Sequence, residues 1–256
     1  ILVALLLPSF GIFAISAQAN FIDLFTDGGQ VVADVTDELE VDDSENFDSA
    51  GPHVSILGGY RDIKVDTIAG GTVVNGNGLY EIGDSGTTMT VNTSANTLSF
   101  ANDPGVTGVG IVQWDGNDGS SALTKVTGIE ENFISQDGCG AGCDRFAVEI
   151  LEADQGFTFT IGVYTDADNW TEFDLVSSGA LGVQTFLFSD FEDAALCGFD
   201  FGGIPSIAAM RCGGDAGDQV VDFTSVDAMQ LIVNVDGGTT AVDLRIGAVE
   251  KIPEPG

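Results

Sequence analysis

Apolar and polar residues alternate with a period of two along most of this chain, and patterns of helical period are nearly absent. In "FTFTIGVY" the residues Phe157, Phe159, Ile161 and Val163 share one face, with threonines and glycine opposite. The preceding "FAVEILEADQG" ends in the turn sequence Asp154-Gln155-Gly156, so the two stretches predict a hairpin. "MQLIVNVDGGTTAVDLRIGAV" repeats the arrangement. Met229, Leu231, Val233 and Val235 form one face, Asp236-Gly237-Gly238 turns, and Val242, Leu244 and Ile246 return. "TMTVNTSANTLSFA" predicts a third hairpin with Ser94-Ala95-Asn96 at its tip. Further strands are expected at 30–35, 60–67, 108–113, 172–176 and 182–188, and short helices only near 196–201 and 225–228.

About ten to twelve strands separated by Gly, Asp and Asn turns predict an all-β fold. The expected architecture is an antiparallel two-sheet β-sandwich, jelly-roll-like, with little helix. There is no alternating βαβ pattern, no repeat of fixed period and no shift of composition midway, so residues 20–250 are expected to form a single domain.

The first 19 residues, "ILVALLLPSFGIFAISAQA", are an apolar run closed by Ala17-Gln18-Ala19, the small-x-small pattern that signal peptidase cuts. The run starts with neither methionine nor a basic residue, so the expectation is a signal peptide without its n-region. A membrane anchor is the competing reading, and Pro8, Gly11 and Ser16 interrupt the run against it. The 237 residues left of 256 suffice to bury a large core.

Seven basic side chains against 40 acidic ones give a formal charge of −33. Such a surface repels nucleic-acid phosphates and anionic lipid, which excludes nucleic acid as a partner; it suits divalent cations and solubility. Export also bears on Cys139, Cys143, Cys197 and Cys212, because an even number of cysteines in an oxidising compartment predicts disulfides. Local pairing, Cys139 with Cys143 and Cys197 with Cys212, is preferred over the other connectivities. A four-thiolate zinc site is the alternative, which the C-x3-C and C-x14-C spacings do not favour.

Two loops carry oxygen ligands and an aromatic ring. "VQWDGNDGSSAL" crowds Asp115, Asn117 and Asp118 among glycines directly after Trp114. "YTDADNWTEFD" places Asp166, Asp168 and Asn169 beside Trp170. The five residues Asp115, Asn117, Asp118, Asp166 and Asp168 are candidate calcium ligands, since hard cations gather carboxylates and carbonyls; turn formation explains the same residues. Trp114, Trp170 and Asn169 are candidate carbohydrate ligands, a flat ring beside hydroxyl-binding polar groups; packing is the alternative for the tryptophans. The acidic stretch between Asp34 and Asp48 reads as a solvated loop. No organic cofactor is expected.

Catalytic signals are sparse. His53 is the one histidine, which removes any zinc site needing several imidazoles, and no G-x-S-x-G elbow accompanies it. Paired carboxylates for glycoside hydrolysis stay open because so many acids are present.

The chain closes on "VEKIPEPG". Pro253, Glu254 and Pro255 resemble the Pro-Glu-Pro box that opens the PEP-CTERM sorting signal of exported Gram-negative bacterial proteins. "ILGGYRDIKV" and the segment from Ser225 onward are similar to parts of β-sandwich proteins of that family. The resemblance implies that residues 251–256 are a linker and the start of a truncated sorting signal. It further implies an exosortase as processing partner, and transient membrane anchoring only through an apolar stretch and basic cluster that would follow. The expected protein is an exported, non-enzymatic component of the outer cell surface or extracellular matrix, associated with exopolysaccharide and binding carbohydrate or calcium through its loops. A secreted jelly-roll glycosidase or lyase and an adhesion or fibre subunit are the alternatives.

Overall fold

Alternation in the sequence becomes alternation in burial. Along β2 (Gln30–Asp34) positions run inward, outward, inward, outward, inward, and β5 (Thr87–Asn92) and β6 (Thr97–Asn102) behave likewise. The computed structural model describes residues 21–34, 47–70, 86–116, 120, 122–126, 128–135, 139, 142–154, 156–177, 180–198 and 207–253. The remaining strands there are β1 (Phe21–Asp23), β3 (Phe47–Ala50), β4 (Arg61–Ala69), β7 (Thr107–Trp114), β8 (Arg145–Ala153), β9 (Phe157–Tyr164), β10 (Trp170–Ser177), β11 (Gly182–Leu187), β12 (Ile207–Cys212), β13 (Ala228–Val233) and β14 (Asp243–Ile252). One helical turn, α1 (Phe188–Phe191), follows β11 directly.

The strands make two antiparallel sheets packed as a sandwich, the fold class expected. The first runs β11-β8-β14-β6-β5-β2, with β1 beside β14; the second runs β12-β10-β9-β13-β7-β4-β3. The chain changes sheets repeatedly, which places sequence neighbours on opposite layers. The β5–β6 hairpin is as predicted: its tip is closed by the Asn92 carboxamide, which accepts from Ser94 N at 3.0 Å, and Asn96 takes φ 55°. The other two predicted hairpins are corrected. β8 lies in the first sheet and β9 in the second, and β13 and β14 are divided in the same way. Each pair is an arch across the end of the sandwich, joining interior strands of the two sheets. An arch and a hairpin leave the same alternating signature, because both bury one face of each strand.

Inward side chains from both layers form one core that includes Phe100, Val112, Ile161, Met229 and Ile246. Gly110 lies where a Cβ would collide with Met89 and Phe100 of the facing sheet, so its bare backbone sets the local sheet spacing. At one end Phe133, Phe146, Phe188, Phe191 and Phe223 interlock, with Phe188 stacked on Phe223 at 4.1 Å and Phe146 edge-on to Phe188 at 4.7 Å. This cluster holds five of the 17 phenylalanines.

Three further expectations change. Near 196–201 the described helical residues are a 3-10 turn, Ala194–Leu196, and near 225–228 Val226 bridges Glu131 before β13 begins. β14 continues past the expected domain boundary to Ile252, because Lys251 is buried over Phe133 at 4.6 Å and pairs with Glu131 at 3.1 Å. Both preferred disulfides are present, Cys139–Cys143 and Cys197–Cys212, with Cα separations of 5.2 and 5.6 Å. Among the described residues no helix is long and apolar enough to cross a membrane.

Candidate binding groove at the open edge

The two long edges of the sandwich are built differently, and the difference locates the site. On the edge formed by β2, β3 and β4, polar side chains cross between the sheets. Arg61 donates to Asp23 Oδ2 at 2.7 Å and to Gln30 Oε1 at 2.7 Å, all three being buried. Thr67 donates its hydroxyl to Asp34 O at 2.8 Å and its amide to Asp34 Oδ2 at 2.6 Å. Such a network is favourable only when its members are satisfied, and here the ring of contacts closes.

On the opposite edge β11 pairs with β8 alone. Val183 and Leu187 turn outward, while Gln184 and Phe186 turn toward the second sheet. There they meet Phe173 and Leu175 of β10 across a groove of about 540 Å³. α1 closes one end of it. Phe188 N donates to Asp144 O at 2.8 Å, and Phe191 O accepts from Thr171 Oγ1 at 2.8 Å, so the turn is tied to both sheets. Phe191 packs edge-on against Phe173 at 4.6 Å and forms the groove floor.

The rim is polar: Arg145, Gln184, Thr185 and Asp190 line it. Arg145 is held in a fork by Asp144, with Nε to Oδ1 and Nη2 to Oδ2 both at 2.8 Å. Those hydrogen bonds hold the Asp144 carboxyl below the usual carboxylate range. Burial, and then the nearby Asp193 charge, push the Asp190 carboxyl up. The groove thus offers an amide, a hydroxyl, a compensated guanidinium and a carboxyl above aromatic rings. That mixture forms hydrogen bonds to hydroxyl-rich ligands, and Phe186 is the half-buried ring that can touch them, Phe173 and Phe191 being buried beneath.

The residues singled out in the sequence lie elsewhere. Trp114 is 1% exposed, and its indole donates to Asp23 Oδ2 at 3.0 Å, so it belongs to the closed-edge network and presents no face to a sugar. Asp115 is buried and accepts from Thr124 N at 2.7 Å. Asn117 and Asp118 lie outside the described residues. Asp166 builds its own turn, accepting at Oδ1 from the amides of Asp168 and Asn169 at 2.8 Å each and bonding the Asn169 side chain through both oxygens. These contacts, the Asn169 side chain foremost, hold its pKa low. Asp168 is exposed in that turn. Trp170 starts β10 on the outer face, where Lys125 Nζ sits 4.6 Å from its ring and 4.6 Å from Tyr164. Tyr164 reaches over Gly162 to donate to Glu172 at 2.6 Å; a Cβ at Gly162 would collide with its hydroxyl. Among the described residues no group of three or more His, Cys, Asp and Glu side chains stands ready for a metal ion. Pro253 is exposed, and Glu254 and Pro255 lie outside the described residues.

No protein-family model matches the chain, and no curated protein matches it. A solved structure described as "Solution structure, dynamics and binding studies of CtCBM11" aligns with 90% of this chain and 97% of that one, at 10% identity and a TM-score of 0.32. Likeness at that level carries no argument, and the sandwich assignment stands on the sheets themselves.

The groove residues escaped the sequence reading, although one signal was there. Residues 180–189 carry no charge, and apolar side chains occupy both parities of the strand at Val183, Phe186 and Leu187. A strand without a polar face at a sheet edge marks a surface with something to cover.

Proposed function

We propose that this protein is an exported, non-enzymatic β-sandwich of the cell surface or extracellular matrix that binds polysaccharide in the groove between β10 and β11. The observation that carries the reading is the groove itself, about 540 Å³ of open concavity with phenylalanine rings below and Arg145, Gln184, Thr185 and Asp190 above. Two disulfides fit an oxidising compartment. The Pro-Glu-Pro box at Pro253, Glu254 and Pro255 supports delivery to the surface through an exosortase. Among the described lining residues Asp190 is the single carboxyl, whereas glycoside hydrolysis generally takes two, which favours binding over cleavage.

The test is a panel of soluble and insoluble polysaccharides, read by co-sedimentation and by release of reducing ends. Binding to at least one glycan without release is expected, weakened at least about tenfold by Phe186→Ala or Gln184→Ala with the fold retained by circular dichroism. Failure to bind any glycan, or binding untouched by both substitutions, overturns the assignment to this groove; release of reducing ends replaces it with an enzyme.

A further inference from the structure

The charge distribution around the groove identifies which polysaccharides it takes, given that it takes polysaccharide at all. The chain carries −33 overall, and of its seven cations Lys64 stands on β4 of the far edge, where its charge acts on Asp66, while the other six are already engaged. Arg61, Arg145, Arg211, Arg245 and Lys251 each face a carboxylate in an ion pair, and Lys125 sits on two aromatic rings. Among the described lining residues Arg145 is the one cation, and both oxygens of Asp144 hold its guanidinium at 2.8 Å. Asp190 lines the same groove, and Asp193, whose Oδ1 accepts from Ala195 N at 3.0 Å, adds a second negative charge beside it.

An anionic sugar entering this groove would therefore meet a compensated cation, a carboxylate and a strongly negative surface potential. A neutral sugar would gain only its hydrogen bonds and stacking. A sugar bearing a protonated amine would gain those and a charge-assisted hydrogen bond to Asp190 as well. We infer that the groove is selective for polysaccharides of free amino sugars, with neutral chains bound less well and uronic-acid chains rejected. Because burial and Asp193 raise the Asp190 carboxyl, the preference for amines fades on acidification before an ordinary carboxylate would be protonated.

The experiment uses the whole chain and three pentasaccharides: glucosamine pentamer, cellopentaose and galacturonic acid pentamer, titrated calorimetrically at physiological ionic strength. The glucosamine pentamer is expected to bind roughly fivefold tighter than cellopentaose, with no heat from the galacturonate. Asp190→Asn is expected to erase the amine preference, so that the ratio of glucosamine-pentamer to cellopentaose affinity falls to about one. Asp48→Asn, on the opposite edge, is the control for general surface charge and leaves the preference intact. Cellopentaose or galacturonate binding as tightly as the amine, an unchanged preference in Asp190→Asn, or an equal loss in Asp48→Asn overturns the inference while the groove reading stands. No binding of any pentamer, combined with none on the wider panel, overturns the groove reading itself.

Discussion

The two lateral edges of this sandwich solve one problem in opposite ways. A pair of sheets must end somewhere, and each end exposes unpaired backbone and the margin of a core. At the β2–β4 edge the sheets are stitched by Arg61, Asp23, Gln30, Asp34 and Thr67, mostly through buried, charge-assisted hydrogen bonds. At the opposite edge, where β11 borders the first sheet and β12 flanks β10 in the second, phenylalanines and one helical turn hold β10 and β11 apart and leave a groove. Stitching with buried charge gives geometric definition but punishes the loss of any member. Propping with rings tolerates change and leaves room for a ligand.

Substitutions probe that contrast in order of expected size. Arg61→Met leaves Asp23 buried without its cation and is expected to cost about 3–5 kcal/mol in urea unfolding; a loss near zero would mean that the closed edge is not stitched by charge. Thr67→Val removes the hydroxyl that Asp34 O and Thr87 N use, at 2.8 and 3.1 Å, and should cost about 1–3 kcal/mol. At the open edge Asp144→Asn breaks a partly exposed fork to Arg145 and should cost no more than about 1 kcal/mol at neutral pH. The lowered Asp144 carboxyl fixes the sign of its pH dependence. Its contribution is fully present above the ordinary carboxylate pKa and is lost as pH falls through the folded value, so wild type and Asp144→Asn converge in acid. Val183→Lys on the free strand should change stability by less than about 0.5 kcal/mol, measured by the same denaturation. A large loss there would show that the outward face of β11 packs against something.

Strand positions were largely legible in the sequence, because alternation at residues such as Phe157, Phe159, Ile161 and Val163 follows directly from the pleat. Layer assignment was not. Asp154-Gln155-Gly156 and Asp236-Gly237-Gly238 look like hairpin turns, yet each carries the chain from one sheet to the other, a distinction set by pairing across long sequence separations. β1, β3 and β12 were missed altogether, β3 beginning inside the acidic stretch read as a loop. Local chemistry deceived in a related way. Trp114 and Asp115 sit at the end of a strand among loop residues, but the neighbouring layer closes over them, with Asp23 supplying the indole's partner from 91 residues away. The even cysteine count and short spacings, by contrast, led to both disulfides, because each bond joins residues whose turns are local. The groove arises from β8, β10, β11 and α1 together, and no single segment contains it.

The pairing of β1 with β14, Phe21 opposite Glu250, has a kinetic meaning. β14 stands at the heart of the first sheet, between β8 and β6, so that layer has no completed centre until the final strand is present. Most of its contacts span long stretches of chain, which places the protein among slow folders, with formation in milliseconds to seconds. A ribosome or a translocation pore releasing the chain from its first residue onward would hold an open half-sandwich until Asp243–Ile252 emerged. During that interval the apolar faces of the other strands stay uncovered, the exposure that makes incomplete folds prone to aggregate.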